Sequence, residues 1–203
     1  EQVIATLRNK NIIVLGAGLT GISCLRFLQA HGLNCTVIDS RKNLIKPIDF
    51  SAEYPECHLY QGNWYYELIE QAEVILLSPG IDLEAQGIAK HIPKNCRIMG
   101  DVELFCQINT KPVVAVTGSN GKSTVVSLLA YMGKALGKKI GLGGNIGVPV
   151  LNQLDSDAES FILELSSFQL EHVESLKAKG ACVLNVSDDH LDRHKTLENY
   201  AQI

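Results

Sequence analysis

Short apolar runs alternate with stretches in which apolar residues recur every three or four positions, the pattern of a parallel α/β sheet. The runs predict strands at 11–15, 35–38, 58–60, 74–77 and 97–99, then a second series at 113–116, 139–142, 161–164 and 181–185. Helical spacing predicts helices at 20–31, 65–71 and 84–91. A further helix follows the strand Val113–Val116, with Val125, Leu128, Leu129, Met132 and Leu136 on one face and Gly137 placed to end it. Each series opens with its own strand, glycine turn and helix. The break at Asn109-Thr110-Lys111-Pro112 therefore divides the chain into two α/β domains, 1–109 and 110–203. A domain that stopped one turn into the helix beginning near Thr196 would leave an apolar face uncovered, so the second reads as cut short.

Composition narrows the class. At 203 residues, with 46% hydrophobic and 20% charged side chains, the chain is globular and long enough for one large domain or two modest ones. Its net charge of −4 argues against a sequence-independent nucleic-acid binder, which carries a basic field. No apolar run approaches the roughly 20 residues of a membrane span, and the N-terminus lacks the cleavage site of a secretory signal. The six cysteines (24, 35, 57, 96, 106 and 182) show no CxxC spacing and read as small core hydrophobes in a reducing compartment. A cytoplasmic protein without a structural zinc or disulfide framework is expected.

The first glycine turn, Gly16-Ala17-Gly18-Leu19-Thr20-Gly21, fits GxGxxG between a strand and a helix, and Asp39 ends the next strand 21 residues after Gly18. Such a turn brings backbone N–H groups and a helix N-terminus against a diphosphate, and a carboxylate at the neighbouring strand tip accepts bonds from a sugar or base. On these residues alone a nicotinamide or flavin dinucleotide, another diphosphate ligand and a structural tight turn all remain open. Arg41 is either a nucleotide contact or a solvated loop arginine.

The second turn is more specific. Thr117-Gly118-Ser119-Asn120-Gly121-Lys122-Ser123-Thr124 joins a buried strand to an amphipathic helix. Its N–H groups would cradle ATP phosphates, Lys122 would reach the β and γ phosphates, and the Ser123 hydroxyl would ligate Mg²⁺. Val116 stands where the longer GxxxxGK[ST] form has glycine, so this is the shorter TGxNGK[ST] variant. Glu164 ends a buried strand and is the natural carboxylate for the metal; its bland alternative is a turn cap. His190, in Asn185-Val186-Ser187-Asp188-Asp189-His190-Leu191-Asp192-Arg193-His194, is a metal ligand or an ordinary loop histidine. Gly143-Gly144-Asn145-Ile146-Gly147 follows a strand and is either ligand-facing or an ordinary flexible connection, and Ser78-Pro79-Gly80-Ile81 is either a rigid turn or the face that meets a diphosphate opposite the first glycine loop.

Together these segments resemble the Mur ligases of bacterial cell-wall synthesis. The matches are GAGLTGIS at 16–23, VIDSR at 37–41, LSPGI at 77–81, GDVELFC at 100–106, TGSNGKST at 117–124, GGNIG at 143–147, ELSSFQLE at 164–171 and NVSDDHLDRH at 185–194. TGxNGK[ST] is shared with folylpolyglutamate synthases, whereas ELSSFQLE and the first glycine turn are particular to the D-glutamate-adding branch. The resemblance implies a Rossmann-like UDP-sugar domain followed by a truncated P-loop ATPase domain. It implies ATP-driven amide formation between UDP-N-acetylmuramoyl-L-alanine and D-glutamate through an acyl phosphate, with two Mg²⁺ ions in the complete enzyme. Leu19, Thr20, Asp39, Ser40, Arg41, Gly80, Asn145 and Ser166 match substrate-contacting positions. Gly118, Ser119, Asn120, Gly121, Lys122, Ser123 and Thr124 match the ATP loop; Lys122, Glu164 and His190 match catalytic positions, and Ser123, Glu164 and His190 metal positions. The family's carbamylated lysine and C-terminal domain find no match, Lys195 falling too early, so this polypeptide alone is expected to be inactive and monomeric. A Mur ligase adding another amino acid or a folylpolyglutamate synthase-like amide ligase is the nearest alternative; a nicotinamide-dependent oxidoreductase and a non-catalytic UDP-sugar module are the others.

Overall fold

Ile12–Leu15 (β1) is buried along its whole length, as an uninterrupted apolar run must be when both faces of a parallel strand are covered. In the computed structural model, which describes residues 2–187 and 194–203, β1 lies at the centre of a parallel sheet. Thr36–Asp39 (β2) and Val74–Leu77 (β4) pair with it on either side; His58–Gln61 (β3) and Arg97–Met99 (β5) form the edges, in the order β3-β2-β1-β4-β5. Register pairs Val14 with Val37 and with Leu76. The order reverses between β1 and β4, and in open sheets ligands bind at the C-terminal ends of such strands. Gln2–Leu7 (α1), Leu19–Ala30 (α2), Pro47–Glu53 (α3) and Tyr66–Ile69 (α4) complete this unit, Glu1–Asp101. One face of the sheet packs Ile13, Leu15, Ile38, Ile75 and Leu77 against Trp64, Ile69 and Ile88.

The second unit, Val102–Ile203, has its own parallel sheet. Val113–Thr117 (β6) lies between Ser160–Glu164 (β8) and Gly180–Val183 (β9), with Ile140–Gly144 (β7) beyond β8. Asp101–Ile108 (α5) leads in, and Lys122–Ala135 (α6), Ser167–Leu170 (α7) and Leu197–Gln202 (α8) follow in chain order. Phe105 of α5 meets Phe161 of β8 edge-on, with ring centroids 5.1 Å apart.

The α/β class and the strands agree with the sequence reading to within one or two residues, but four local expectations need correction. The helix expected at 84–91 is only a 3₁₀ turn at Ala89–His91. Asp82 Oδ1 accepts the N–H groups of Glu84 and Ala85, diverting the backbone from helical bonding. The helix expected at 65–71 contracts to Tyr66–Ile69 because Tyr65 takes a left-handed φ of 49°. On α6 the buried residues are Val126 and Ala130, with Val125 and Leu129 packed beside them, while Leu128, Met132 and Leu136 are exposed. The helix carries more apolar residues than one face holds, and contact with the sheet selects among them. Its end was read correctly: N–H groups of Gly137 and Lys138 close on the carbonyls of Lys134 and Gly133, a Schellman arrangement. Finally, Cys182 is exposed on β9, whereas Cys24, Cys35 and Cys57 are buried as expected. Among the described residues, no helix is long and apolar enough to cross a membrane.

Glu103 on α5 fixes the loop before β9. Its carboxylate, 4% exposed, accepts the backbone N–H groups of Glu174 and Ser175 at 2.7 and 2.9 Å and the Ser175 hydroxyl at 2.6 Å. Burial opposes its charge, but the bonds from Ser175, the Gln107 amide and the backbone of Ser175 and Glu174 outweigh it and hold the carboxyl below its usual range. A depressed folded-state pKa contributes stability that is present above the unfolded value of about 4.3 and is lost as pH falls through the folded value. Glu103→Gln should therefore cost about 2 kcal/mol at pH 7 and flatten the loss of stability below about pH 4.3. Urea melts at pH 7, 5 and 3 measure both; an unchanged acid slope would refute the assignment.

Candidate functional site

In the first unit, the C-terminal ends of β1, β2 and β4 open into a cleft of about 480 Å³. The glycine turn Gly16–Gly18 and the start of α2 form one wall, Asp39-Ser40-Arg41 another, and Ser78-Pro79-Gly80-Ile81 a third, with Trp64 and Gln86 completing the lining. Asp39 is 2% exposed and saturated by its own chain. Oδ1 accepts from Arg41 N and Nε at 2.9 and 3.0 Å; Oδ2 accepts from Ala17 N at 2.8 Å and Arg41 Nη2 at 2.7 Å. Burial would raise its pKa, but the Arg41 side chain and the two backbone N–H groups hold the carboxyl below its ordinary range. The arginine is thereby pinned beside the glycine turn, its Nη2 3.8 Å from where a Gly18 Cβ would stand. Ser78 Oγ is buried and has no hydrogen-bond partner among the described residues, an orphan that a polar ligand in the cleft would satisfy.

In the second unit, Val116 of β6 pairs in register with Glu164 of β8, which sets the phosphate-type loop beside the strand-end carboxylate. Ser123 Oγ donates to Glu164 Oε2 at 2.8 Å, and Asn145 Nδ2 donates to Oε1 at 3.2 Å. Glu164 is 2% exposed, and among the described residues both donors to its carboxylate are neutral. A buried carboxylate without a cation is costly, and a hydroxyl beside it completes a hard-oxygen donor pair suited to Mg²⁺. Among the described residues no three His, Cys, Asp or Glu side chains converge on a metal position. Lys122 Nζ turns back to the carbonyls of Gly118 and Ser119. The N–H groups of Ser119 and Asn120 are engaged by Asn185, whereas those of Lys122, Ser123 and Thr124 at the start of α6 have no backbone partner among the described residues.

Comparison with known proteins accounts for both arrangements. Residues 10–100 match the model described as Mur ligase MurD-like, N-terminal domain, and residues 116–203 match the Mur ligase middle domain. The chain belongs to the Mur ligase family. It is 50% identical to the UDP-N-acetylmuramoylalanine–D-glutamate ligase of Colwellia psychrerythraea, covering 98% of this chain and 46% of that protein. It is 46% identical to the Haemophilus influenzae ligase of the same name, covering 96% and 44%. The chain thus spans less than half the length of these curated relatives. Among solved structures, the UDP-N-acetylmuramate:L-alanyl-gamma-D-glutamyl-meso-diaminopimelate ligase of Neisseria meningitides has a TM-score of 0.56 at 20% identity, covering 95% of this chain and 65% of that one. The UDP-N-acetylmuramate-alanine ligase of Thermotoga maritima scores 0.50 at 18%, covering 96% and 46%. These likenesses show the fold.

Within this Mur ligase chain, Leu19, Thr20, Asp39, Ser40, Arg41 and Gly80 line one cleft. Asn145 and Ser166 belong to the other unit. Asn145 is bonded to Glu164, and Ser166 caps α7, its Oγ accepting from Gln169 N while Gln169 Oε1 accepts from Ser166 N. His190 lies outside the described residues. Sequence reasoning missed Trp64, Gln86 and the hydroxyl of Ser78. Trp64 Nε1 donates to Gln86 Oε1 at 3.2 Å across 22 residues, a pairing no local pattern announces. Ser78 was legible as part of a turn that is either rigid or diphosphate-facing, but not as a buried hydroxyl without a partner among the described residues.

Proposed function

We propose that this chain is the UDP-sugar-binding domain and part of the ATPase domain of a ligase that joins D-glutamate to UDP-N-acetylmuramoyl-L-alanine. Residues 1–109 serve the first role and 110–203 the second. The names of the similar ligases support the substrates, and the Ser123–Glu164 pair at the phosphate loop is the observation that carries the ATP reading. Magnesium bound there supplies charge neutralisation for phosphoryl transfer, and Ser123 and Glu164, with His190 beyond the described residues, would hold it. The free N–H groups at the start of α6 bind phosphate oxygens, and Lys122 swings from its loop carbonyls to meet the transferring phosphoryl group. The substrate carboxylate attacks the γ phosphate, ADP leaves, and the amine of D-glutamate then displaces phosphate from the acyl phosphate.

In the first cleft, Arg41 held by Asp39 is the charged group available to the UDP moiety, with Leu19, Thr20, Ser40 and Gly80 around it. A dinucleotide reading is less well supported: each Asp39 oxygen already accepts two hydrogen bonds, leaving little capacity for a ribose hydroxyl. Calorimetric titration should give saturable heat with UDP-N-acetylmuramoyl-L-alanine and none with NADH. Asp39→Ala, which frees Arg41, should weaken UDP-sugar binding about ten-fold or more. Gly80→Ala should weaken it without loss of stability, because a Cβ there meets nothing within 4 Å in the protein. Heat with NADH instead would return the oxidoreductase reading.

A further inference from the structure

The geometry points to Asn185 as the positioning residue of the phosphate loop, a role that rests on the ATP reading above. Thr117 of β6 pairs with Val183 of β9, so the segment leaving β9 runs beside the loop leaving β6. Asn185 then grips one residue of that loop on both sides. Its Oδ1 accepts the Asn120 N–H at 2.9 Å, and its Nδ2 donates to the Asn120 carbonyl at 2.9 Å. The Asn185 carbonyl also accepts the Ser119 N–H at 3.2 Å. Ser119 Oγ extends the clasp, accepting from Ser187 N at 3.0 Å and donating to Ser187 O at 3.2 Å.

Two consequences follow for a phosphate ligand. Ser119 and Asn120 spend their N–H groups on the clasp, so the anion is left to the N–H groups at the start of α6. Both peptide groups flanking the Asn120 α-carbon are held, which stops them from rotating a carbonyl toward the phosphates. A primary amide is the side chain that both donates and accepts in the spacing a residue's own N–H and C=O present. Aspartate keeps the acceptor, loses the donor and adds a negative charge beside the polyphosphate.

The test uses the 203-residue chain, Asn185→Ala and Asn185→Asp, with calorimetric titration by ATP in Mg²⁺ and amide hydrogen exchange without nucleotide. The expected result is about ten-fold weaker ATP binding for Asn185→Ala and a larger loss for Asn185→Asp. In Asn185→Ala exchange should speed at Asn120, whose N–H the side chain accepts, and not at Ser119, whose acceptor is the Asn185 backbone carbonyl, with α6 protection and Tm retained, since Asn185 is exposed and supports no core. Equal affinities in all three proteins would overturn the proposal. So would losses that track Tm or α6 protection, which a merely structural role predicts. If the unsubstituted chain binds no ATP although Asn120 is protected, the nucleotide reading itself fails and the role falls with it; the exchange data separate that failure from an absent clasp.

Discussion

Gly21→Ala should lower the stability of the first unit by about 3 kcal/mol, a Tm loss of roughly 12–24 °C for a unit of this size. Gly21 lies in the first turn of α2, where alanine ordinarily gains about 1 kcal/mol over glycine. Here a Cβ would stand 1.8 Å from the Gly16 carbonyl oxygen and 2.8 Å from its carbon. Those atoms are backbone, tied to the sheet by the Gly16 N–H bond to Ile38 O at 2.8 Å, so neither partner can rotate away. Relief requires α2 to lift from β1, opening the contact that buries Cys24, Leu25 and Leu28. Gly32→Ala is the comparison: a Cβ there meets nothing within 4 Å, and its φ of +65° leaves only the smaller backbone penalty. Calorimetric melts of the two variants should differ by at least 5 °C. Equal melting temperatures would mean that the helix and turn do not make this approach.

The same contact explains what was readable in advance. A GxGxxG turn requires its last glycine for helix–strand packing whatever the ligand, so the motif located the cleft and left its occupant open. Strands were legible because a run such as Val74–Leu77, apolar at every position, has few places to go other than a sheet centre. The Ser123–Glu164 contact followed from two strand ends, which parallel register brings together across 41 residues. What escaped was set by tertiary selection among equivalent local choices. On α6, Val126 and Leu128 are equally apolar, and contact with β6 and β8 buries the first and leaves the second 57% exposed. Asp82 was an unremarked acid until its carboxylate took two N–H groups from the expected helix. Gln86 acquires its place through Trp64, and Asn185 through the path of β9; neither relation has a local periodicity to read.

Glu164→Gln should reduce Mg²⁺-dependent ATP binding about 100-fold while leaving the nucleotide-free chain at least as stable as before. The two effects have opposite signs because, among the described residues, only neutral groups donate to this buried carboxylate. It is 2% exposed, and its donors, Ser123 Oγ and Asn145 Nδ2, are neutral groups that recover little of the hydration a charge loses on burial. Glutamine keeps the volume and the acceptor for Ser123. Its amide N–H₂ then faces Asn145, whose own amide can rotate to present oxygen instead of nitrogen. The substitution thus removes a buried charge that only neutral groups among the described residues contact, at small steric cost, and removes it wherever a cation must bind. Thermal melts without ligand and titration with ATP, in Mg²⁺ and in EDTA, read the two halves separately. For the unsubstituted chain Mg²⁺ should tighten ATP binding strongly, and for the variant the two titrations should nearly coincide. A variant that melts well below the parent would show that the charge already serves the folded chain. One that retained the full Mg²⁺ effect would move the metal away from Glu164.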